Sequence, residues 1–250
     1  MALKALLFGS LDTLADTHEA QRRAFNEAFD AAGLDWHWDP GVYTRLLDRA
    51  GNVSRLQAYA EEVGHQLTDD QRDTVQRERV LRYGRLLEDL DVAIRPGADR
   101  LINVAIGEGR KVALVSNAER EMVEAFSEVF GERLGMKDFA YVGDISAGEA
   151  KPAPGAYRAA LHALELGVDE AIAIEDTAHG LRAALAADLT AIAVPSQWTR
   201  EQDFAGAVAV VDQLGTIQEP ARSLSVPVPM EDNIVTLDYL QGLMVLEAAA

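Results

Sequence analysis

The chain has 250 residues, 48% of them hydrophobic, and no cysteine; it can bury one full core plus a smaller cover, and it has no disulfide, thiolate metal site or cysteine nucleophile. Its 41 acidic against 23 basic residues give a formal net charge of −18. A field of that sign repels nucleic acid and anionic membranes, so neither is an expected partner.

Leu3 to Phe8 is a nearly continuous apolar run ending at Gly9-Ser10, the pattern of a strand buried on both faces. That run is too short for a signal-peptide core and no later run approaches a membrane span, so the expected location is the cytoplasm. From Asp16 to about Leu90 the period becomes helical: Ala24, Phe25, Ala28 and Phe29 share a face, Leu46 and Leu47 follow Tyr43, and Leu81, Leu86 and Leu87 come later. Arg95-Pro96-Gly97 breaks the chain, a helix through Leu101 to Ile106 follows, and Lys111 to Val115 reads as a second buried strand. Further short strands are expected at Phe139–Val142, Ala171–Ile174, Thr190–Val194 and Ala207–Val211, with helical stretches between them.

This alternation predicts an α/β fold, a doubly wound parallel sheet with ligands beyond the carboxyl ends of its strands. The expected organisation is an α/β core from residues 1–15 and 91–215, a smaller all-helical cap from 16–90, and a C-terminal extension from 216–250. In the extension, Pro220, Pro227 and Pro229 precede Val235–Leu246, where Leu237, Leu240, Leu243 and Met244 fall at helical intervals. That segment packs on its own core or, as the alternative, makes a dimer contact.

Four strand ends carry the candidate chemistry. Gly9 and Leu11, after the first strand, supply neither an oxygen nucleophile nor a titrating group. Asp12 stands close by, but the frame set by Phe8 argues against its reaching Asp176, and alternation turns Ser10 away from the side used by positions 9 and 11. Ser116-Asn117 brings a hydroxyl and an amide to the end of the second strand, a pairing also common in plain turns. Lys151 precedes Pro152 and Pro154, which by itself reads as a surface lysine before a stiffened turn. Glu175 and Asp176 end a buried strand; paired carboxylates suit a hard cation and equally suit capping of the helix that follows.

In this order and spacing the motifs resemble those of the haloacid dehalogenase (HAD) superfamily, whose first strand usually runs into Phe-Asp-x-Asp-Gly-Thr-Leu-x-Asp-Thr. Here the same frame reads Phe8-Gly9-Ser10-Leu11-Asp12-Thr13-Leu14-Ala15-Asp16-Thr17. The resemblance puts Gly9 at the nucleophile position and Leu11 at the acid/base position, so the catalytic pair is degenerate. It further implies that Ser116 and Asn117 hold a phosphoryl oxygen, that Lys151 neutralises it, and that Mg²⁺ sits at Asp176 and Glu175, weakened by the missing acid at position 9. It extends from Leu3 to about Leu214 and narrows to the capped branch of beta-phosphoglucomutase and the sugar-bisphosphate phosphatases. Arg23-Ala24-Phe25-Asn26, Gly33-Leu34-Asp35-Trp36, Arg95-Pro96-Gly97 and Trp198 to Ala207 look like CbbY-type members, which act on phosphorylated pentuloses. Cap residues of that group contact the sugar, and Tyr43 and Arg55 fall at matching places, although His18 stands where an acid is usual and Val53 where a lysine is common. Read without the resemblance, Tyr43 is a packed ring and Arg55 a solvated or ion-paired side chain.

Three functional readings follow. The leading one is a phosphatase homologue without turnover that binds phosphate or a small phosphorylated metabolite at Ser116, Asn117 and Lys151, the loss of two carboxylates lowering the repulsion of anions. The second is an active Mg²⁺-dependent phosphohydrolase on small sugar phosphates using relocated groups such as Asp12 with Asp176. The third is an interaction scaffold working through residues 216–250.

Overall fold

The apolar runs become a six-stranded parallel sheet: β1 (Ala5–Phe8), β2 (Lys111–Val115), β3 (Tyr141–Gly143), β4 (Ala171–Glu175), β5 (Thr190–Ala193) and β6 (Ala209–Val210). The computed structural model describes residues 2–49, 51–225 and 229–248; Pro227 lies outside them. Strand order is β3-β2-β1-β4-β5-β6, with the first strand central. Every residue of β1 and β4 is buried, as a sheet covered on both faces requires. Register pairs Phe8 with both Leu114 and Ile174, so β1, β2 and β4 end level with one another.

Alternate strand residues feed two separate cores. Leu6, Phe8, Val112, Leu114, Ile172 and Ile174 face α5 (Ala98–Gly107) and α6 (Arg120–Phe130), whereas Ala5, Leu7, Ala113, Val115, Ala171 and Ala173 face α7 (Gly155–Leu164) and α8 (Ala178–Ala186). The switch of face with each residue is the period-two geometry of a strand. Leu237, Leu240, Leu243 and Met244 of α9 (Leu237–Ala248) join the first of these cores. The C-terminal segment therefore packs on its own chain, and the main-chain N–H of Leu3 donates to Gln241 Oε1 at 2.5 Å.

Between β1 and β2 the chain forms α1 (His18–Ala31), α2 (Pro40–Leu46), α3 (Asn52–Glu62) and α4 (Asp69–Asp89). Phe25, Ala28 and Phe29 of α1 bury against Trp38, Tyr43, Leu46, Leu47 and Leu56 in a third cluster, which Trp198 joins from beyond β5. Thr68 and Gln71 close α4 with a reciprocal capping box. Leu81 does not share the buried face expected of it: it is 68% exposed, because Val75, Arg79 and Tyr83, spaced four apart, turn the opposite side of α4 inward. Fully buried Arg79 stands over the Phe25 ring at 5.1 Å and pairs with Glu119 at the start of α6, tying the helical segment to the sheet unit.

Strand limits move by one to two residues from the sequence reading. Phe139 closes a 3-10 turn, Met136–Asp138, before β3 can begin, and β6 contracts to the residues that pair with Ile192 and Ala193. Among the described residues no helix is long and apolar enough to cross a membrane.

Candidate functional site

Because β1, β2 and β4 end level, the residues that follow them emerge together above the sheet, the expected ligand position in an open α/β fold. There a cleft of about 380 Å³ is lined by Gly9, Leu11, Ser116, Asn117, Lys151, Glu175 and Asp176, and by Arg55 from α3. Tyr43 is brought elsewhere: it is fully buried among Trp38 and Trp198, and its hydroxyl lies 3.4 Å from His18 Nδ1. Arg55 donates through Nε to the Arg49 carbonyl at 3.2 Å.

Immediately after Phe8 the backbone leaves strand geometry. Leu11–Thr13 is a 3-10 turn whose N-cap is Ser10, the hydroxyl accepting from the Thr13 N–H at 3.1 Å. Strand alternation therefore stops before it can set the directions of Ser10 and Asp12, and both expectations built on it are overturned. Ser10 Oγ donates to Asp176 Oδ1 at 2.7 Å, and Asp12 lies in one buried group with His18 and Asp176. Ser10 followed by Asp12-Thr13 is a turn start, a local signal that the period-two pattern of a strand does not carry.

Glu175 and Asp176 turn apart. Glu175 Oε1 accepts from Lys151 Nζ at 2.5 Å and from the Tyr157 hydroxyl at 2.6 Å, while Lys151 also donates to the Gly9 carbonyl at 2.5 Å. A Cβ on Gly9 would stand 2.1 Å from the Glu175 carboxyl carbon, and one on Gly180 2.0 Å from its Oε2. The carboxylate thus occupies the space that a side chain at position 9 would need, and two glycines make room for it. Glu175 stands against Lys151 and offsets part of the attraction that this ammonium offers an anion. Two of the three ammonium donors are engaged by Gly9 and Glu175, leaving one for a ligand.

Asp176 is the opposite case. Its Oδ1 takes the Ser10 hydroxyl, its Oδ2 is buried with no hydrogen-bond partner among the described residues, and His18 Nε2 stands 3.7 Å from that oxygen. Asp12 accepts from the Thr17 N–H and hydroxyl through Oδ1 and from Gln21 Nε2 through Oδ2. Burial raises the Asp12 and Glu175 carboxyls above the ordinary range. Burial opposes charge on Asp176 as well, but His18, Ser10 and Arg95 outweigh it and hold this carboxyl low. His18 is buried too, yet the charges of Asp12 and Asp176 raise it. By sequence alone Asp12 enters only as a relocated group of the alternative hydrolase, and His18 only as a residue standing where an acid is usual.

The Mg²⁺ expected at Glu175 and Asp176 does not fit this pair. Glu175 is held by Lys151 and Tyr157, Gly9 brings no oxygen through a side chain, and the group facing Asp176 Oδ2 is an imidazole nitrogen. Mg²⁺ demands an octahedron of oxygens and suits such a set poorly.

At Ser116 the hydroxyl accepts the Ala118 N–H at 2.9 Å, turning the chain sharply after β2 so that Asn117 reaches the cleft beside α6. A model of the haloacid dehalogenase-like hydrolases matches residues 3–188. Protein CbbY of Cereibacter sphaeroides is 36% identical over 220 residues, covering 86% of this chain and 94% of that protein. The plasmid-encoded CbbY of Cupriavidus necator is 35% identical, covering 87% and 88%. The crystal structure of CbbY from Rhodobacter sphaeroides in complex with phosphate superimposes with a TM-score of 0.77 at 35% identity, over 84% of this chain and 94% of that one. A mutant of the same protein in complex with xylulose-(1,5)bisphosphate matches equally, with a TM-score of 0.77. Beta-phosphoglucomutase of Clostridium difficile, 18% identical, shares the fold with a TM-score of 0.72 over 99% of this chain.

Proposed function

The chain belongs to the haloacid dehalogenase-like hydrolase family, and from that premise we propose that it is a non-catalytic member that binds phosphate or a small sugar phosphate. One observation carries the reading: the Glu175 carboxylate, held by Lys151, fills the space beside Gly9 where a nucleophilic side chain would stand. Glycine and leucine offer no nucleophile and no titrating group, so covalent carboxylate catalysis at positions 9 and 11 is closed. Ser116, Asn117 and Lys151 line the same cleft and supply donors without a reacting acid. The complexes of CbbY with phosphate and with xylulose-(1,5)bisphosphate support the ligand class.

A second reading, turnover by relocated groups, is favoured by the presence of Asp12 and Asp176 in one buried group. Against it, positions 9 and 11 beside that group carry glycine and leucine, which supply no nucleophile. The test pairs calorimetric binding of phosphate and a panel of sugar phosphates with Mg²⁺-dependent phosphate release, comparing the natural chain, Lys151→Ala, Asn117→Ala and Asp176→Ala. The expected result is binding weakened by Lys151→Ala and Asn117→Ala, with no release by the natural chain. Release by the natural chain that disappears in Asp176→Ala overturns the reading.

A further inference from the structure

Three side chains from three separate elements converge beside the cleft: Asp12 from the 3-10 turn after β1, His18 from the first turn of α1, and Asp176 from the end of β4. One donor atom from each lies within 4.8 Å of the other two. His18 Nε2 is 3.8 Å from Asp12 Oδ1 and 3.7 Å from Asp176 Oδ2. Those separations are too long for hydrogen bonds. They are close to the edge of about 3.4 Å that a tetrahedron with metal–ligand bonds of roughly 2.0–2.1 Å would have.

A second observation points to a ligand in the same space. Among the described residues His18 Nε2 and Asp176 Oδ2 are both buried without a hydrogen-bond partner, on residues only 3% and 0% exposed. A buried nitrogen and a buried carboxylate oxygen that face each other at 3.7 Å without a hydrogen bond interact through charge alone, and a shared cation would bond both directly. The surroundings have the form of an outer coordination shell. Ser10 orients Asp176, Thr17 and Gln21 orient Asp12, and the Tyr43 hydroxyl stands by the other ring nitrogen of His18.

We infer that Asp12, His18 and Asp176 form a site for one divalent transition-metal ion of the Zn²⁺ class, open on its fourth side to the cleft. Imidazole nitrogen with carboxylate oxygen suits Zn²⁺ or Co²⁺ and disfavours Mg²⁺. All three residues line the cleft, so water or a ligand oxygen completes the shell. The inference does not depend on phosphate binding: it uses neither Lys151 nor the Ser116–Asn117 turn.

The test is calorimetric titration of the chelator-stripped, full-length chain with Zn²⁺ and with Mg²⁺, and titration with Co²⁺ followed by visible absorption. One equivalent of Zn²⁺ should bind at least ~10-fold tighter than Mg²⁺, and His18→Gln should weaken Zn²⁺ by at least ~10-fold, the lower end of the loss seen when even outer-shell groups are changed. His179→Gln, which removes another cleft histidine, should leave Zn²⁺ binding unchanged. Should His18→Gln fail to fold, the Co²⁺ form of the natural chain still decides: it should show one imidazole N–H proton shifted far outside the normal NMR range. Equal affinity for Zn²⁺ and Mg²⁺, undiminished Zn²⁺ binding in His18→Gln, loss of it in His179→Gln, or a Co²⁺ form with no shifted imidazole proton overturns the inference.

Discussion

Gly9 and Glu175 compete for one small volume, and the outcome sets what the cleft can do. A side chain at position 9 meets the Glu175 carboxyl at 2.1 Å, far inside any contact distance. Glu175 is also tethered by Lys151 and Tyr157, so it cannot swing away without breaking charge-assisted bonds. Gly9→Asp is therefore expected to destabilise the chain by about 1–3 kcal/mol, the usual cost of overpacking a filled interior. Adding Glu175→Ala should return part of that loss, because the space is then vacated. Chemical denaturation of both variants checks this; a Gly9→Asp chain as stable as the natural one would mean that Glu175 is not held where it stands. At this scale the sequence was only partly legible. Motif spacing located Ser116, Asn117, Lys151 and Asp176 around one cleft. It left Ser10 and Asp12 turned away from Asp176 and gave His18 no role; the first two take their directions from a 3-10 turn that begins three residues after Phe8, and His18 stands in the first turn of α1. It also kept Glu175 and Asp176 as one pair, although neighbours at a strand end take opposite sides.

Elements fared better because periodicity survives averaging over many residues. β2 is found at Lys111–Val115 as expected, and the shared face of Ala24, Phe25, Ala28 and Phe29 is buried in α1. Errors fall where a local device competes with hydropathy: the turn before β3, and Leu81, an apolar residue on the solvent side of α4. The first turn of α1 shows how such a device works. Glu19 accepts from Arg22 at 2.7 and 2.8 Å and from Arg23 at 2.8 Å, while Arg22 also donates to the Trp38 carbonyl at 2.6 Å. The hydrogen bond from Arg22 leads the causes that lower Glu19 below the ordinary value of 4.5. A carboxyl lowered on folding stabilises the native state above its unfolded pKa and loses that contribution as pH falls through its folded value. The Glu19 side chain is 32% exposed, so screening keeps the effect below ~1 kcal/mol. Glu19→Gln should thus lower the urea midpoint slightly at neutral pH, and the gap from the natural chain should close as pH drops below about 4.5. A gap that persists unchanged in acid would remove the ion pair as its cause.

On the scale of the whole molecule, the C-terminal segment decides between a self-contained chain and one built for association. Sequence spacing placed Leu237, Leu240, Leu243 and Met244 on one face but left its partner open, because an amphipathic stripe looks the same against a second copy as against its own core. The partner is internal: these residues share a cluster with Leu6, Phe8, Leu101 and Ile102, and Arg100 donates to the carbonyls of Leu214, Gly215 and Val235. That arrangement buries the apolar face of Leu237, Leu240, Leu243 and Met244 within the chain, so this face is not offered to a partner. Leu240 is fully buried, so Leu240→Ala should cost about 2–5 kcal/mol, the transfer loss plus the cavity it leaves. For a chain of this size each kcal/mol lowers Tm by roughly 2–4 °C. Leu246, 60% exposed on the same helix, gives the contrast: its replacement by alanine should stay within about 0.5 kcal/mol. If the helix instead served an intermolecular contact, the stability of the natural chain would fall on dilution, and the cost of Leu240→Ala would fall with it. Thermal unfolding of the three chains over a wide range of protein concentration separates the two cases, and a large Leu240→Ala loss independent of concentration is the result expected of an internal core.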